Sequence, residues 1–504
     1  QGFHFHFHFH FHFHFHFVGL ISMFIGIDIG TSEVKALLLT DDHIVLGTSG
    51  AELSVSRPRP GFSEQNPHDW WVATQAVLAQ LRQAYPAPYA ATRAIGLCGQ
   101  MHGAVLLDKH DRVLRPAILW NDTRSAMACV EMMAECPELP ELAGTLAMPG
   151  FTAPKLRWVA RHEPEIFQRV AKVLLPKDYV RLMLTGEHQT DLSDASGTLW
   201  LDVQRRAWSE HLLALTGLTR SNMPQLLEGS DAGGKLKVAV AQSLGLSRSV
   251  VVAGGAGDNA ASAVGMGAVE AGQGFLSLGT SGVLFIVTPS YQPNAASATH
   301  AFCHALPGRW HQMSVMLSAA SALQWVADIA CEGHAGDVAA KAAALSPAER
   351  AASPLFLPYL SGERTPHNDA KVRGSFHQLS FDTDAARLGY AVMEGVSFGL
   401  KDGLAALNAA GSTVAQLSLV GGGARSPLWA QQLASALNTE VVTHGSSAVG
   451  GALGAARLAW LATGAPTGGV CLRPAVEASY LPDAAEQEML APRYAEFRQL
   501  YRVG

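Results

Sequence analysis

From Met23 to Leu39 the chain reads MFIGIDIGTSEVKALLL, two short apolar runs on either side of a Gly-Thr-Ser triplet. Runs of that length bounded by turn residues predict a β-hairpin. The pattern returns from Gly274 to Val287 as GFLSLGTSGVLFIV, so that the triplets begin at Gly30 and Gly279. A repeat at the start of each half predicts two related domains. After each hairpin, helical periods alternate with strand-like runs, the pattern of an α/β sheet covered by helices. In the first half Asn66 and Pro67 read as the cap and first residue of a helix whose apolar face includes Trp70, Val77, Leu78 and Leu81. In the second, Leu388, Val392, Val396, Leu400, Leu404 and Leu407 form the stripe of a long helix stopped by Gly411. Gly395, Gly399 and Gly403 recur within it at four-residue spacing, each costing up to about 1 kcal/mol against Ala. That cost predicts a neighbouring helix at very close range.

Two further strand–loop–helix units carry glycine-rich turns. In one, residues 250–253 form the strand, 254–257 the loop, and Asp258 the N-cap of a helix starting at Asn259. In the other, residues 417–420 are the strand, 421–423 the loop, and Ser426 with Pro427 the cap and first turn. Helix N-termini behind such loops, and successive N–H groups in a Gly-Thr-Ser turn, are anion sites. Two such turns facing one cleft would grip a triphosphate. No GxxxxGK[ST] occurs, and no GxGxxG is followed at the right distance by an acidic residue. The phosphate site is therefore of another type.

Composition removes several classes. Phe and His alternate from Phe3 to Phe17 with no Lys or Arg before Met23. Residues 1–22 thus read as an expression tag rather than a leader, leaving about 480 residues, enough for two or three domains. Charged residues make up 15% of the chain and the net charge is −6, which speaks against nucleic acid or an anionic membrane as partner. The stretch from Ser249 to Gly274 is interrupted by Asp258, Glu270 and many glycines and does not read as a membrane span. The six cysteines show no CxxC spacing, which predicts reduced thiols and a cytoplasmic protein.

Ten segments make the pattern specific: GIDIGTSEVK, GQMHG (99–103), LWND (119–122), GFTAPKLRW (150–158), LLPKDYVRLMLTGE (174–187), SDASGTLWLDV (193–203), GAGDNAA (255–261), LSLGTSG, YLSGERTPH (359–367) and GGGARSPLW. In this order, from residue 24 to about 460, they resemble the blocks of the FGGY carbohydrate kinase family in its xylulokinase branch. The resemblance implies two actin-, hexokinase- and Hsp70-like (ribonuclease H-like) ATPase domains flanking a catalytic cleft. A domain over residues 23–266 would hold the sugar and the catalytic base, and one over 267–504 would hold ATP. It implies ATP and Mg²⁺ as cofactors and phosphorylation of O5 of D-xylulose in xylose catabolism. Ribulose, glycerol or gluconate would be the competing substrates. A non-catalytic actin- or Hsp70-like ATPase is the alternative from another class, and a chaperone of that class would need a peptide-binding domain after the ATPase. A homodimer stays open.

Asp258 by itself would serve as a helix cap; the resemblance implies that it is the general base. Asp28 would serve as a turn former, but beside a phosphate-gripping turn a carboxylate needs a cation between itself and the phosphates, which implies Mg²⁺. Thr31 and Ser32 would donate to the transferring phosphate. Lys35 aligns with a basic residue of related kinases, and reads equally as an outward-facing strand lysine. Met101 and His102 match the family's sugar-contacting pair, although a lone His is more often a structural hydrogen-bonder. Asn259 and Trp120 are further sugar contacts by the same reasoning. Gly279, Thr280, Gly422, Gly423 and Ala424 resemble the ATP loops, and Ala320 stands where some relatives carry glycine.

Overall fold

The computed structural model describes residues 21–445 and 450–503. Of the segment read as a tag, residues 1–20 lie outside the described residues.

The first sheet is built from Met23–Ile29 (β1), Glu33–Thr40 (β2), Val45–Glu52 (β3), Thr92–Gly99 (β4), Ala232–Lys235 (β5), Val251–Ala253 (β6) and Ala256–Gly257 (β7). Their order is β5-β6-β4-β1-β2-β3, with β7 also on β4. The second contains Gln273–Leu278 (β8), Gly282–Thr288 (β9), His300–Cys303 (β10), Trp310–Met316 (β11), Gln416–Val420 (β12), Glu440–His444 (β13) and Val476–Tyr480 (β14), in the order β10-β11-β9-β8-β12-β13-β14. In both, an antiparallel hairpin gains a third antiparallel strand on one side and a parallel crossover strand on the other. The duplication anticipated from the two Gly-Thr-Ser runs is thus a duplication of sheet topology, and the chain is a two-domain α/β protein.

Strand parity explains what each face does. On β1, Met23, Ile25, Ile27 and Ile29 share a core with Trp70, Val77 and Leu78 of the helix Pro67–Ala84. That helix is capped as expected, the Asn66 side chain accepting from the His68 N–H. The opposite face presents Phe24, Gly26 and Asp28, with Ala94, Gly96 and Cys98 in register on β4. It is covered by the helix Gly451–Ala462, an element from the far end of the chain, whose Trp460 stacks on Phe24 at 5.3 Å. A Cβ on Gly96 would come within 1.8 Å of the Ala455 carbonyl oxygen, and one on Gly454 within 1.7 Å of that of Ala261. Gly454→Ala should therefore destabilise the protein by about 1–3 kcal/mol or more through overpacking. Thermal unfolding would read this against Gly468→Ala, where nothing lies within 4 Å. Equal melting temperatures for the two variants would show that the helix does not pack so closely.

The long helix Ala385–Ala409 buries the expected stripe from Val392 to Leu407, leaves Leu388 half-buried, and gives way to Gly411 in the left-handed region. The reason for its glycines differs from the expectation. Added Cβ atoms would meet the Phe356 carbonyl at Gly395, Met316 at Gly399 and Ser314 at Gly403. The close neighbours are strands, β11 and Leu355–Leu357, not another helix. Small residues let a helix approach a sheet as well as a helix, so spacing alone did not tell the two apart. Ser426 caps the helix Pro427–Leu437 by accepting from the Trp429 N–H. The six cysteines are unpaired, and no described helix is long and apolar enough to cross a membrane.

Candidate active site

The two halves enclose a cleft of about 420 Å³. Asp28, Gly30, Thr31, Met101, His102, Trp120, Asp258 and Asn259 line it from the first half. Ser277, Ser281, His300, Phe302 and Arg364 line it from the second. Asp28 lies on the face of β1 covered by the helix Gly451–Ala462, just where that helix begins. A Cβ on Gly451 would lie 3.0 Å from both the Asp28 Oδ2 and the Cys98 Sγ. Burial raises the Asp28 carboxyl, opposed by the charge of Lys35 and a hydrogen bond with Cys98. Ser277 holds the same place before the second Gly-Thr-Ser turn that Asp28 holds before the first. The duplicated hairpins thus bring one carboxylate and one hydroxyl to a common cavity.

Asp258 is the first residue of the helix Asp258–Gly265, and Gly257 occupies the cap position. The expectation of an Asp258 N-cap is corrected: β7 runs to Gly257, so the chain turns helical one residue earlier than the glycine run suggested. The side chain accepts from the neighbouring Asn259 N–H at 2.8 Å. It opens onto the cleft, yet the surrounding walls desolvate it enough to push its pKa up to about 6, the Asp28 charge adding to the effect. A carboxyl there is ionised at neutral pH and close to the proton affinity that general base work needs.

His102 adopts a left-handed backbone with φ 74°, held by bonds to its carbonyl from Thr152 Oγ1 at 3.1 Å and Lys155 Nζ at 2.9 Å. Its ring packs on Phe151 with centroids 4.3 Å apart. Burial, with the Lys155 charge, lowers its pKa to about 3, so the ring is neutral. Nδ1 lies 2.8 Å from the Gly197 carbonyl, which can only accept, so Nδ1 carries the proton. That leaves Nε2 as an acceptor for a hydroxyl. Across the cleft, Arg364 Nη1 donates to His300 Nε2 at 3.3 Å, and His300 Nδ1 meets Thr145 Oγ1 at 2.8 Å. Arg364 is the sole cation on this cleft wall among the described residues.

The first Gly-Thr-Ser turn is braced from below. Gln65 donates to the Thr31 carbonyl at 2.7 Å and Gln100 to the Gly30 carbonyl at 3.2 Å. Trp120 donates its indole N–H to Thr31 Oγ1 at 2.9 Å. Ser32 is exposed at the turn and not part of the cleft wall. Lys35 faces Asp28 across the hairpin, but its amino group pairs with Glu33 at 3.2 Å and stays largely in solvent. The outward-facing alternative describes it better, and it touches the site only through its charge on Asp28.

The second turn opens on two further cavities of about 440 and 590 Å³. Gly279 and Thr280 line the first, Gly423 the second, and Gly422 and Ala320 both. The helix Ala320–Ala330 is clamped to the turn, since the Ala320 N–H donates to the Gly279 carbonyl and Ser321 Oγ to that of Thr280. Ala424 turns instead toward the core of the second half. Gln324, Trp325 and Arg425 also line these walls; none was singled out in the sequence, although Arg425 stood within the quoted GGGARSPLW, and His300 and Phe302 were missed. Arg364 stood within a quoted segment without being singled out.

Comparison with known proteins supports this arrangement. Residues 23–265 match the N-terminal domain of the FGGY family of carbohydrate kinases, and residues 274–463 match its C-terminal domain. The chain is 49% identical to the xylulose kinase of Escherichia coli over 95% of this chain and 99% of that one. It is 47% identical to the xylulose kinase of Klebsiella pneumoniae over 95% and 98%. The crystal structure of a xyloylose kinase from Brucella ovis superposes with a TM-score of 0.93 at 50% identity, covering 96% of this chain and 99% of that one. The cleft between two duplicated sheets, the carboxylates inside it and the full-length similarity together place the protein among enzymes that phosphorylate sugars: the chain belongs to the FGGY family of carbohydrate kinases.

Proposed function

We propose that the protein transfers the γ-phosphoryl group of ATP to O5 of D-xylulose, with Asp258 as the general base. The observation that carries this reading is the placement of an ionisable carboxylate, Asp258, in one cleft with the Met101–His102 pair and the phosphate-binding turns. The sugar lies against Met101, His102, Asn259 and Trp120, with His102 Nε2 accepting one of its hydroxyls. ATP occupies the cavities beside Gly279, Thr280, Gly422 and Gly423 and extends its phosphates toward Thr31. Asp258 takes the proton of the attacking hydroxyl as the new O–P bond forms in line and the bond to ADP breaks. Identity of 49% and 47% over nearly the whole length of two curated xylulose kinases supports the choice of sugar.

The donors suit a hard cation. Asp28 sits on the cleft wall with the hydroxyls of Thr31, Ser277 and Ser281, an oxygen set of the kind Mg²⁺ takes, directly or through water. Bound Mg²⁺ supplies neutralisation of the phosphate charge. Asp28 would hold it, and the chain's own N–H groups at the turns orient the phosphates. Unpaired cysteines fit a reducing cytoplasm as the place of action.

A panel of pentuloses and polyols in a coupled ADP-release assay tests the substrate. D-Xylulose should exceed D-ribulose and glycerol in kcat/KM by at least about tenfold, the worth of one polar contact. A preference for ribulose or glycerol would overturn the choice of sugar and leave the kinase intact.

A further inference from the structure

Beneath the loop that presents Asp258 lies a cluster of five charged side chains with no solvent exposure: Lys177, Asp178, Arg181, Asp191 and Asp194. The Lys177 amino group stands 2.8 Å from a carboxylate oxygen of each of the three aspartates. Burying so many charges is expensive, and apolar side chains of similar volume commonly serve stability as well or better. What the cluster touches gives it a different use. Arg181 Nη2 donates to the carbonyls of Ala253 and Gly254, each at 2.7 Å, and Nη1 to that of Val252 at 3.3 Å. These are the last residues of β6 and the first of the loop. Asp191 accepts from the Ser193 hydroxyl, and Ser193 Oγ in turn accepts the Gly257 N–H at 3.1 Å. Gly257 immediately precedes Asp258.

We propose that Arg181 and Ser193 are positioning residues for Asp258, fixing the two ends of the segment 252–257 from one buried charge cluster. This rests on the reading of Asp258 as the base. The polarity of the chain is consistent throughout. The Lys177 ammonium pairs with one oxygen of Asp191 at 2.8 Å, and the other oxygen of that carboxylate accepts from the Ser193 hydroxyl and so orients it. The hydroxyl, its own proton committed, offers a lone pair to the Gly257 N–H. At the other end the fork of Arg181 spans three successive carbonyls, which the single amino group of a lysine would not match. The loop needs such support because Gly254, Gly255 and Gly257 give it little conformational preference of its own. A base must sit within hydrogen-bond reach of the hydroxyl it deprotonates, and small displacements are costly in rate.

Ser193→Ala removes the link to Gly257 with almost no change of volume. The expected result, measured with whichever sugar of the panel turns over fastest, is a fall in kcat of roughly tenfold. The KM values for sugar and ATP should stay within about twofold and the melting temperature should be close to that of the parent, because only the base is displaced. The decisive comparison is a double-mutant cycle: placed on Asp258→Asn, Ser193→Ala should cause no further loss. An equal loss in both backgrounds, or an unchanged kcat in Ser193→Ala beside an inactive Asp258→Asn, would overturn the positioning role alone. Nearly full activity in Asp258→Asn would overturn the base assignment and the positioning with it.

Discussion

Asp258→Asn should lower kcat for sugar phosphorylation by roughly 10² to 10⁴, the usual worth of a general base, while ATP still binds. The substitution keeps the size of the side chain and its ability to accept from the Asn259 N–H, and Gly257 rather than Asp258 occupies the cap. Helix and loop therefore have no reason to change. What is lost is the capacity to take a proton. Because desolvation and the Asp28 charge raise the Asp258 carboxyl to about 6, the parent enzyme should lose activity as the pH falls through that value, where the base becomes protonated. The variant should show no limb of that origin. Slow hydrolysis of ATP by water in the absence of sugar should fall as well, since water in the sugar site would need the same base. Retention of more than about a tenth of kcat, outside the range for such groups, would show that another residue accepts the proton.

The elements legible in the sequence were those fixed by local chemistry. Period and turn residues located both hairpins, the Asn66 and Ser426 caps and the long helix before Gly411. The resemblance added Asp28, Met101, His102 and Asp258, which the fold brings to one cleft. What stayed hidden depends on pairings distant along the chain. His300 and Arg364 reach the cavity from strands and loops of the second half, and no local pattern distinguishes them from ordinary polar residues. The helix Gly451–Ala462 reads as a small-residue helix of the second half. The approach of Gly96 to Ala455 and the stacking of Trp460 on Phe24 show that it closes the first sheet beside Asp28. The segment around Lys177 was read only as a family block. Its lysine and aspartates look like a solvated helix face until the structure shows them without solvent exposure. Lys35 is the opposite case, aligned by resemblance while its amino group turns to Glu33 and solvent.

Asp28→Asn should leave no measurable turnover, a loss of more than about 10³, at or beyond the upper end for a group that stabilises transferring charge. The isosteric amide keeps contact with Cys98 and Gly451 but cannot balance a divalent cation. Stability should not fall with activity. Burial raises the folded-state pKa of this carboxyl, so the native state binds the proton more tightly than the unfolded chain does. Stability from this group is then lost as pH rises from the unfolded value through the folded one. Holding Asp28 in its ionised form is thus a cost that the amide removes, and the melting temperature should hold or rise. A binding measurement separates the metal role from a general defect. ATP should bind the parent more tightly with Mg²⁺ than with a chelator, and the variant should lose that difference while keeping its affinity for metal-free ATP. If Asp28→Asn keeps both its rate and its Mg²⁺ dependence, the cation is held elsewhere in the cleft and Asp28 is only a buried acid at the end of β1.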